Sequence, residues 1–548
     1  GQDTDLADAI DNGIIALEEY HKRLVKENPD LTDDQKLQLE NVLTAWKEKL
    51  ETAESEDDVR LLVRDGKDAL EDEIASFTAD KKLEEVRANA VQVLTDYRAS
   101  ETYDVVWMHK IKLVRDGFIS DLQKAQTVAE LNKLLEQAKN EIDAIIDQIP
   151  ETGAWDGVTK TEPKADENGV YQITSGDELA WFADQVNQGK GSLNAVLCND
   201  ISLGGKYWTP IGKSADKTFS GTFDGQGHVI RGLYQDVESD FTGLFGAVRG
   251  AGASVSHLTV SGNIKLGGRV TYVAGIAGYV AGKNSDAKAQ ITDCHSKVSI
   301  TVTGIRTLDA GVAGVVGYST NAKITNCSNE ATVEIVSAGR GGLTYYAGGI
   351  VGVARTGCQI EACTNKGTVW SAHAAGGLIG GILTSDISCR SSYNAGDISG
   401  LYYAGGICGV MLNDTAEFNR CYTSGTVNAK DSGLALGALF GRITGSKEMI
   451  LFALKRADNI GRTLVGSSGD FSACGKFVSE KELKSDDMLN NLNADGNQYI
   501  HDYLGFQNGY PILAWEMTLE DFQAGSISSL NSSVSEADYT AENWKQVQ

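Results

Sequence analysis

Five of the nine cysteines close a recurring motif: ITDC at Cys294, ITNC at Cys327, IEAC at Cys363, DISC at Cys389 and FNRC at Cys421. Structural zinc is held by closely spaced pairs such as CxxC, whereas these five are separated by 33, 36, 26 and 32 residues. One cysteine per repeat predicts a column of small, soft apolar side chains inside a stacked structure. Identical stacked positions point in parallel, which disfavours disulfide geometry, so the column reads as buried free thiols. Cys358 and Cys363, close in sequence, are the pair nearest to an exception. No metal site and no cofactor is expected.

Other residue sets bear on catalysis. In "TFDGQGHVIRGL" (222–233), Asp224 and His228 could be read as an acid and a base. The surrounding glycines favour a tight turn capped by the aspartate. Glycosidic cleavage needs two carboxylates about 5–10 Å apart on one face. Glu361 and Asp386, two and three residues before a motif cysteine, come nearest to such a pair, and they align loosely. HExxH and GxSxG are absent, and the chain has only seven histidines. No catalytic residue is assigned.

Rings offer a different chemistry. Seven residues before the last glycine of a repeated Gly-rich motif, three successive repeats carry Tyr345, His373 and Tyr402, with Trp370 and Arg340 nearby. Rings in line can stack on a sugar or hold a peptide at low entropic cost, making these five the candidate ligand-binding residues. The same spacing also fits a ladder of like-on-like stacking that only stabilises a sheet. The tyrosine run differs from repeat to repeat while the glycines do not.

The frame that would position these residues is the glycine repeat itself. TGLFG, AGIAG, AGVVG, GGIVG, GGLIG, GGICG and GALFG end at Gly246, Gly278, Gly317, Gly352, Gly380, Gly409 and Gly441, spaced by 32, 39, 35, 28, 29 and 32 residues. A period near 30 with short β-prone runs between Gly and Asn predicts a parallel β-helix whose coils stack about 4.8 Å apart. Ile and Val would fill the interior, and Gly would stand where a side chain would strike the next coil. L-chain twist predicts a right-handed coil.

Residues before the repeats read differently. Glycine is scarce before Gly153, and 1–150 carries apolar residues at helical spacing with Ser55 and Thr127 placed as N-caps. Residues 53–74 match 125–146 at an offset of 72, and Leu17 and Tyr20 match Leu94 and Tyr97 at 77. Two successive three-helix bundles, 1–78 and 79–150, are expected, acting as a spacer or presenting a partner-binding face. The β-helix is assigned to 151–518. Residues 519–548 form a linker and the start of a further helical module, with Tyr539, Thr540 and Trp544 as its marks.

A net charge of −26 argues against nucleic-acid binding and against a polybasic membrane-surface role. No apolar run approaches the ~18 residues of a membrane helix. The chain opens at Gly1 without a signal-peptide pattern, which reads as a fragment boundary or a mature end.

The glycine core, with "DELAWFADQVN" (177–187), "NDISLGGKYWTPIG" (199–212), "FSGTFDGQGHVIRGL" (219–233) and "GFQNGYPILAWE" (505–516) around it, resembles the GLUG-motif family over 155–516. The front bundles are similar to helical spacers of Gram-positive surface proteins, and the last residues to modules found in various architectures. The resemblance implies an extracellular, cell-wall-associated modular bacterial protein. Its expected role is non-catalytic and adhesin-like: a helical stalk and a β-helix that binds a host or dietary glycan or glycoprotein, as a monomer. The alternative is part of a secreted carbohydrate-active enzyme or peptidase, with the β-helix as a catalytic or accessory domain.

Overall fold

A computed structural model describes residues 2–29, 31–98, 105–146, 153–237, 239–268, 270–303, 305, 307–336, 344–412, 415–429, 435–444, 449–455, 463–467, 472–502 and 507–516. The module expected over 519–548 lies outside the described residues. The chain divides into a helical unit, 1–144, and a β unit, 145–548.

The helical unit holds α1 (Gln2–Glu27), α2 (Asp33–Leu50), α3 (Glu56–Asp96), α4 (Val105–Leu122) and α5 (Val128–Ile146). Ser55 caps α3 by accepting from the Asp58 amide, and the Thr127 hydroxyl accepts from the Glu130 amide at the head of α5, each at 3.1 Å. The internal duplication is visible in side chains. Lys67 lies over the Tyr20 ring and Lys139 over the Tyr97 ring, both at 5.2 Å from the centroid. At the boundary expected at 78/79, α3 runs on as one 41-residue helix. Residues 67–96 contain neither Gly nor Pro to stop a helix, so the last helix of the first bundle continues as the first of the second.

The β unit is a parallel β-solenoid. Helix α6 (Gly176–Asn187) buries Leu179, Phe182, Ala183 and Val186 in the first coils, closing that end of the core. Two seven-stranded parallel sheets flank the glycine corners. The pre-glycine sheet contains Phe241–Thr242, Tyr272–Ala274, Ala310–Ala313, Tyr345–Gly348, Ala374–Gly376, Tyr403–Gly405 and Ala435–Gly437. The post-glycine sheet contains Phe245–Arg249, Ala277–Ala281, Val316–Thr320, Val351–Ala354, Ile379–Ile382, Cys408–Met411 and Phe440–Ile443. A third parallel ladder completes each coil. Ile, Val and Leu from all three fill one continuous interior.

The corner glycines are explained by what they face. A Cβ on Gly314 would stand 2.3 Å from Asn329 Cγ, and one on Gly349 2.3 Å from Asn365 Cγ; for Gly377 and Asn394 the figure is 2.4 Å. Those asparagines form a buried ladder: Asn329 Nδ2 donates to Asn365 Oδ1 at 2.8 Å, Asn365 Nδ2 to Asn394 Oδ1 at 2.8 Å, and Asn394 Nδ2 to Thr423 Oγ1 at 3.1 Å. Each amide also donates to the carbonyl two residues on. Glycine is therefore required at these corners by interior contact, since none of them has a positive φ.

A C-terminal segment lies on the outside of the third ladder. Ile512–Leu513 pairs antiparallel with Tyr499–Ile500, and a separate apolar cluster joins them to Tyr393, Tyr422 and Phe452. Trp515 stacks on His295, with ring centroids 5.0 Å apart, and donates to the Ala362 carbonyl at 2.9 Å. The buried Glu516 carboxylate accepts from Tyr393 Oη at 2.8 Å and pairs with Lys366 Nζ at 2.7 Å.

Candidate functional site

Strand register shows which tyrosines face out. Tyr345 and Ala347 belong to the interior core, whereas Tyr346 joins a separate outer cluster with Val353, Ala374 and Val410. The outward row of the pre-glycine sheet is thus Phe241, Tyr272, Gly311, Tyr346, Ala374, Tyr403 and Ala435. Counting back from the glycines puts Asp240 opposite Tyr272, but the ladder pairs Tyr272 with Phe241, because the first coil is one residue shorter before its corner.

Beside this row runs the post-glycine row Ala247, Tyr279, Tyr318, Val353, Gly381, Val410 and Arg442. The two rows interlock. Tyr318 and Tyr272 centroids are 4.5 Å apart, and Tyr318 stacks on Tyr279 at 5.0 Å with a 12° tilt. Phe241 stacks on Tyr272 at 6.0 Å. A Cβ on Gly381 would stand 2.4 Å from the Tyr346 ring, so the missing side chain makes room for that tyrosine. Phe241, Tyr272, Tyr279 and Tyr318 stay half-buried and meet ring to ring, forming a partly exposed aromatic strip over the first three coils, while Tyr403 is half-buried farther along the row. Burial pushes the Tyr272 and Tyr346 hydroxyls up to about 12 and raises that of Tyr318, so all three remain donors at any physiological pH.

Of the five residues expected to bind ligand, the structure brings three into one row. His373 lies between Tyr345 and Tyr402, with centroid distances of 5.5 and 5.9 Å. Tyr345, however, is only 3% exposed and belongs to the core, which corrects its reading as a binding ring. The half-buried His373 ring is tied to the Tyr345 carbonyl at 3.1 Å, and burial lowers its pKa. Tyr402 is exposed, and Trp370 is half-buried on a neighbouring strand opposite Glu334 and Ser399. Arg340 lies outside the described residues.

The thiol column also needs correction. Cys294, Cys327 and Cys363 stack in register, but Cys389 pairs with Ile360 and Phe418, three residues early. Ser392 occupies the column position in that coil and accepts from the Cys363 amide at 3.0 Å; Cys421 then resumes it. All five thiols are buried and unbridged, Cys389 and Cys421 sulfurs lying 3.9 Å apart. Burial raises the pKa of the Cys327, Cys358, Cys363 and Cys408 thiols, removing the thiolate that metal binding or nucleophilic attack would need.

The acid candidates separate. Glu361 pairs with Lys323 at 3.3 Å, while Asp386 lies opposite Gly357 in a positive-φ turn. Asp224 binds the Gln226 amide and His257 Nδ1, each at 2.9 Å, and His228 turns to Asp200 at 3.2 Å. Among the described residues no group of three or more His, Cys, Asp or Glu could hold a metal ion.

Sequence reasoning missed Asp309 and Arg355 beside the strip, and the asparagine ladder beneath it. The second had a visible signal in the recurring Asn of "SNEAT", "TNKGT" and "YNAGD" (328–332, 364–368, 393–397). The first had none, since Asp309 and Arg355 are brought together only by the coil.

A three-ladder parallel solenoid with glycine corners and outward aromatic rings on its first coils describes the β unit. The family model described as the GLUG motif matches residues 310–334, a single coil from Ala310 through Cys327 and Asn329. No curated protein matches the chain. Among solved structures, a protein from Bacteroides ovatus, provisionally described as an immunoglobulin A1 protease, is 19% identical with a TM-score of 0.41, covering 65% of this chain and 95% of that one. Another, described as IgA1 protease, is 19% identical with a TM-score of 0.38, covering 58% of this chain and 24% of that one.

Proposed function

We propose that this chain is part of an extracellular, wall-associated bacterial surface protein whose solenoid binds a host or dietary glycan or glycoprotein without cleaving it. The helical unit serves as a spacer. The observation that carries the reading is the strip of Phe241, Tyr272, Tyr279 and Tyr318, ring on ring across successive coils and still partly open to solvent. A sugar presents a flat C–H face that such rings accept, and rigid rings lose little entropy on binding.

A glycan-array screen of the whole chain tests this, read beside assays for reducing-sugar release and for cleavage of immunoglobulin A. Binding that falls at least tenfold in Tyr272→Ala and Tyr318→Ala, without product release, supports the reading. Product released by the chain alone overturns it in favour of a hydrolase or peptidase. Tyr345→Ala is unsuitable as a probe, because it would open a cavity in the core.

A further inference from the structure

The glycine frame repeats from coil to coil, but one pair of charged residues beside the strip does not. Arg355 follows the strand Val351–Ala354, and the equivalent positions are Arg249, Ala281 and Thr320 in the coils before and Leu383 and Leu412 in the coils after. Among the described residues, only in this coil does an arginine there meet an aspartate. Asp309 precedes Ala310–Ala313, and the next coils have Thr344, Ala372 and Leu401 in its place. The fold therefore accepts uncharged residues at both positions.

The two charges meet across a coil. Arg355 Nη2 lies 3.4 Å from Asp309 Oδ2, and the Thr344 hydroxyl donates to Asp309 Oδ1 at 2.8 Å. Asp309 sits at φ +54°, a left-handed turn conformation that aspartate adopts more readily than most residues. The pair is still accessible, with 35% and 41% of the Arg355 and Asp309 side chains exposed. Arg355 Nε is buried with no hydrogen-bond partner among the described residues. Both charges act on the Tyr272, Tyr318 and Tyr346 hydroxyls, Asp309 raising their pKa values and Arg355 lowering them. A carboxylate and a guanidinium thus border stacked rings at one place on the strip.

We propose that Asp309, Arg355, Tyr272 and Tyr318 form a subsite for a neutral hexopyranose unit of a glycan. The inference rests on the glycan-binding reading above and names the ligand's class. The sugar's C–H face stacks on the tyrosines, the Asp309 carboxylate accepts from one ring hydroxyl, and the Arg355 guanidinium donates to its neighbour. Neutrality follows from charge complementarity. Among the described residues Asp309 already balances Arg355, and the chain carries a net −26, which disfavours the negative charge of a sialic acid, uronic acid or sulfate.

The test titrates the whole chain with neutral gluco-, galacto- and manno-oligosaccharides and with their sialylated or sulfated counterparts. Expected is a preference for one neutral series of about tenfold or more over its acidic counterpart. Asp309→Asn and Arg355→Leu should each lower affinity about tenfold, the loss of one charge-assisted hydrogen bond, at unchanged circular dichroism and Tm. Leucine already occupies the equivalent position two coils running, so the second variant tests binding with the fold kept. If Tyr318→Ala abolishes binding while both charge variants bind as the parent, the subsite is overturned and the glycan-binding reading stands. A preference for acidic glycans also overturns it. If no glycan binds at all, the underlying reading fails and takes the subsite with it.

Discussion

The inner and outer faces of the solenoid invert the usual arrangement. Inside, between aliphatic columns, runs a file of primary amides; outside, where polar residues would ordinarily face water, runs a file of aromatic rings. The inner file is fully satisfied, each asparagine donating to the next and to a backbone carbonyl, so burial does not penalise it. The outer file leaves rings partly uncovered and breaks its own repetition at Asp309 and Arg355. Repetition serves the fold where every coil must match its neighbour. Where one coil departs from the pattern on an open face, the departure is free to serve binding.

Breaking the inner file should have the largest effect. Asn365→Leu removes two donated bonds, to Gly367 O and Asn394 Oδ1, and the one accepted from Asn329. With groups left buried and unpaired on both adjacent coils, unfolding free energy should fall by roughly 3–4 kcal/mol, measured by urea denaturation of the β unit. A loss below about 1 kcal/mol would mean that the ladder is not holding the coils.

Two glycines sharpen the comparison at the next level down. A methyl at Gly349 meets Asn365 Cγ and the Gly377 carbonyl, both at 2.3 Å, so backbone itself must move. The atoms nearest a methyl at Gly381 belong to the Tyr346 ring, a side chain on the outer face rather than backbone. Gly349→Ala should therefore cost about 3 kcal/mol and Gly381→Ala about 1 kcal/mol or less, read as midpoint shifts in the same denaturation. Equal losses would remove the distinction between the faces.

Those contrasts also show what was legible in the letters. The glycine period revealed the coil, because a collision between stacked coils recurs at every turn and leaves a mark at every turn. The duplicated Lys–Tyr contacts of the helical unit were legible for the same reason. Cys389 was misplaced because a cysteine was aligned with cysteines, whereas the register is held by Asn365 and Asn394, which pair directly. Side was harder than position. Adjacent residues in a strand face opposite ways, so Tyr345 and Tyr346 are equivalent in composition and opposite in environment. The run-on of α3 was hidden because an internal repeat suggests a boundary, yet nothing in its sequence breaks a helix.

The smallest expected effect concerns the outer face at its other polar point, under the C-terminal segment. His295 lies beneath Trp515 with Nδ1 at 3.0 Å from Ser328 Oγ, and burial lowers its pKa. Glu330, Asp293 and Glu516 oppose that shift and Lys297 adds to it. A histidine whose folded pKa is depressed contributes stability that is complete above its unfolded pKa, about 6.5, and is lost as pH falls through the folded value. Docking of residues 499–502 and 507–516 should therefore weaken between pH 7 and pH 5, seen as faster hydrogen–deuterium exchange there while the inner asparagine ladder stays protected. His295→Gln should flatten this dependence. Burial works to raise the Glu330 pKa, but Lys297 and Lys366 beside it bring the net shift downward, so Glu330 acts only below about 4.5 and the two windows separate. Exchange that accelerates equally in the ladder would show the two faces opening as one unit, and the contrast between them would then be chemical without being mechanical.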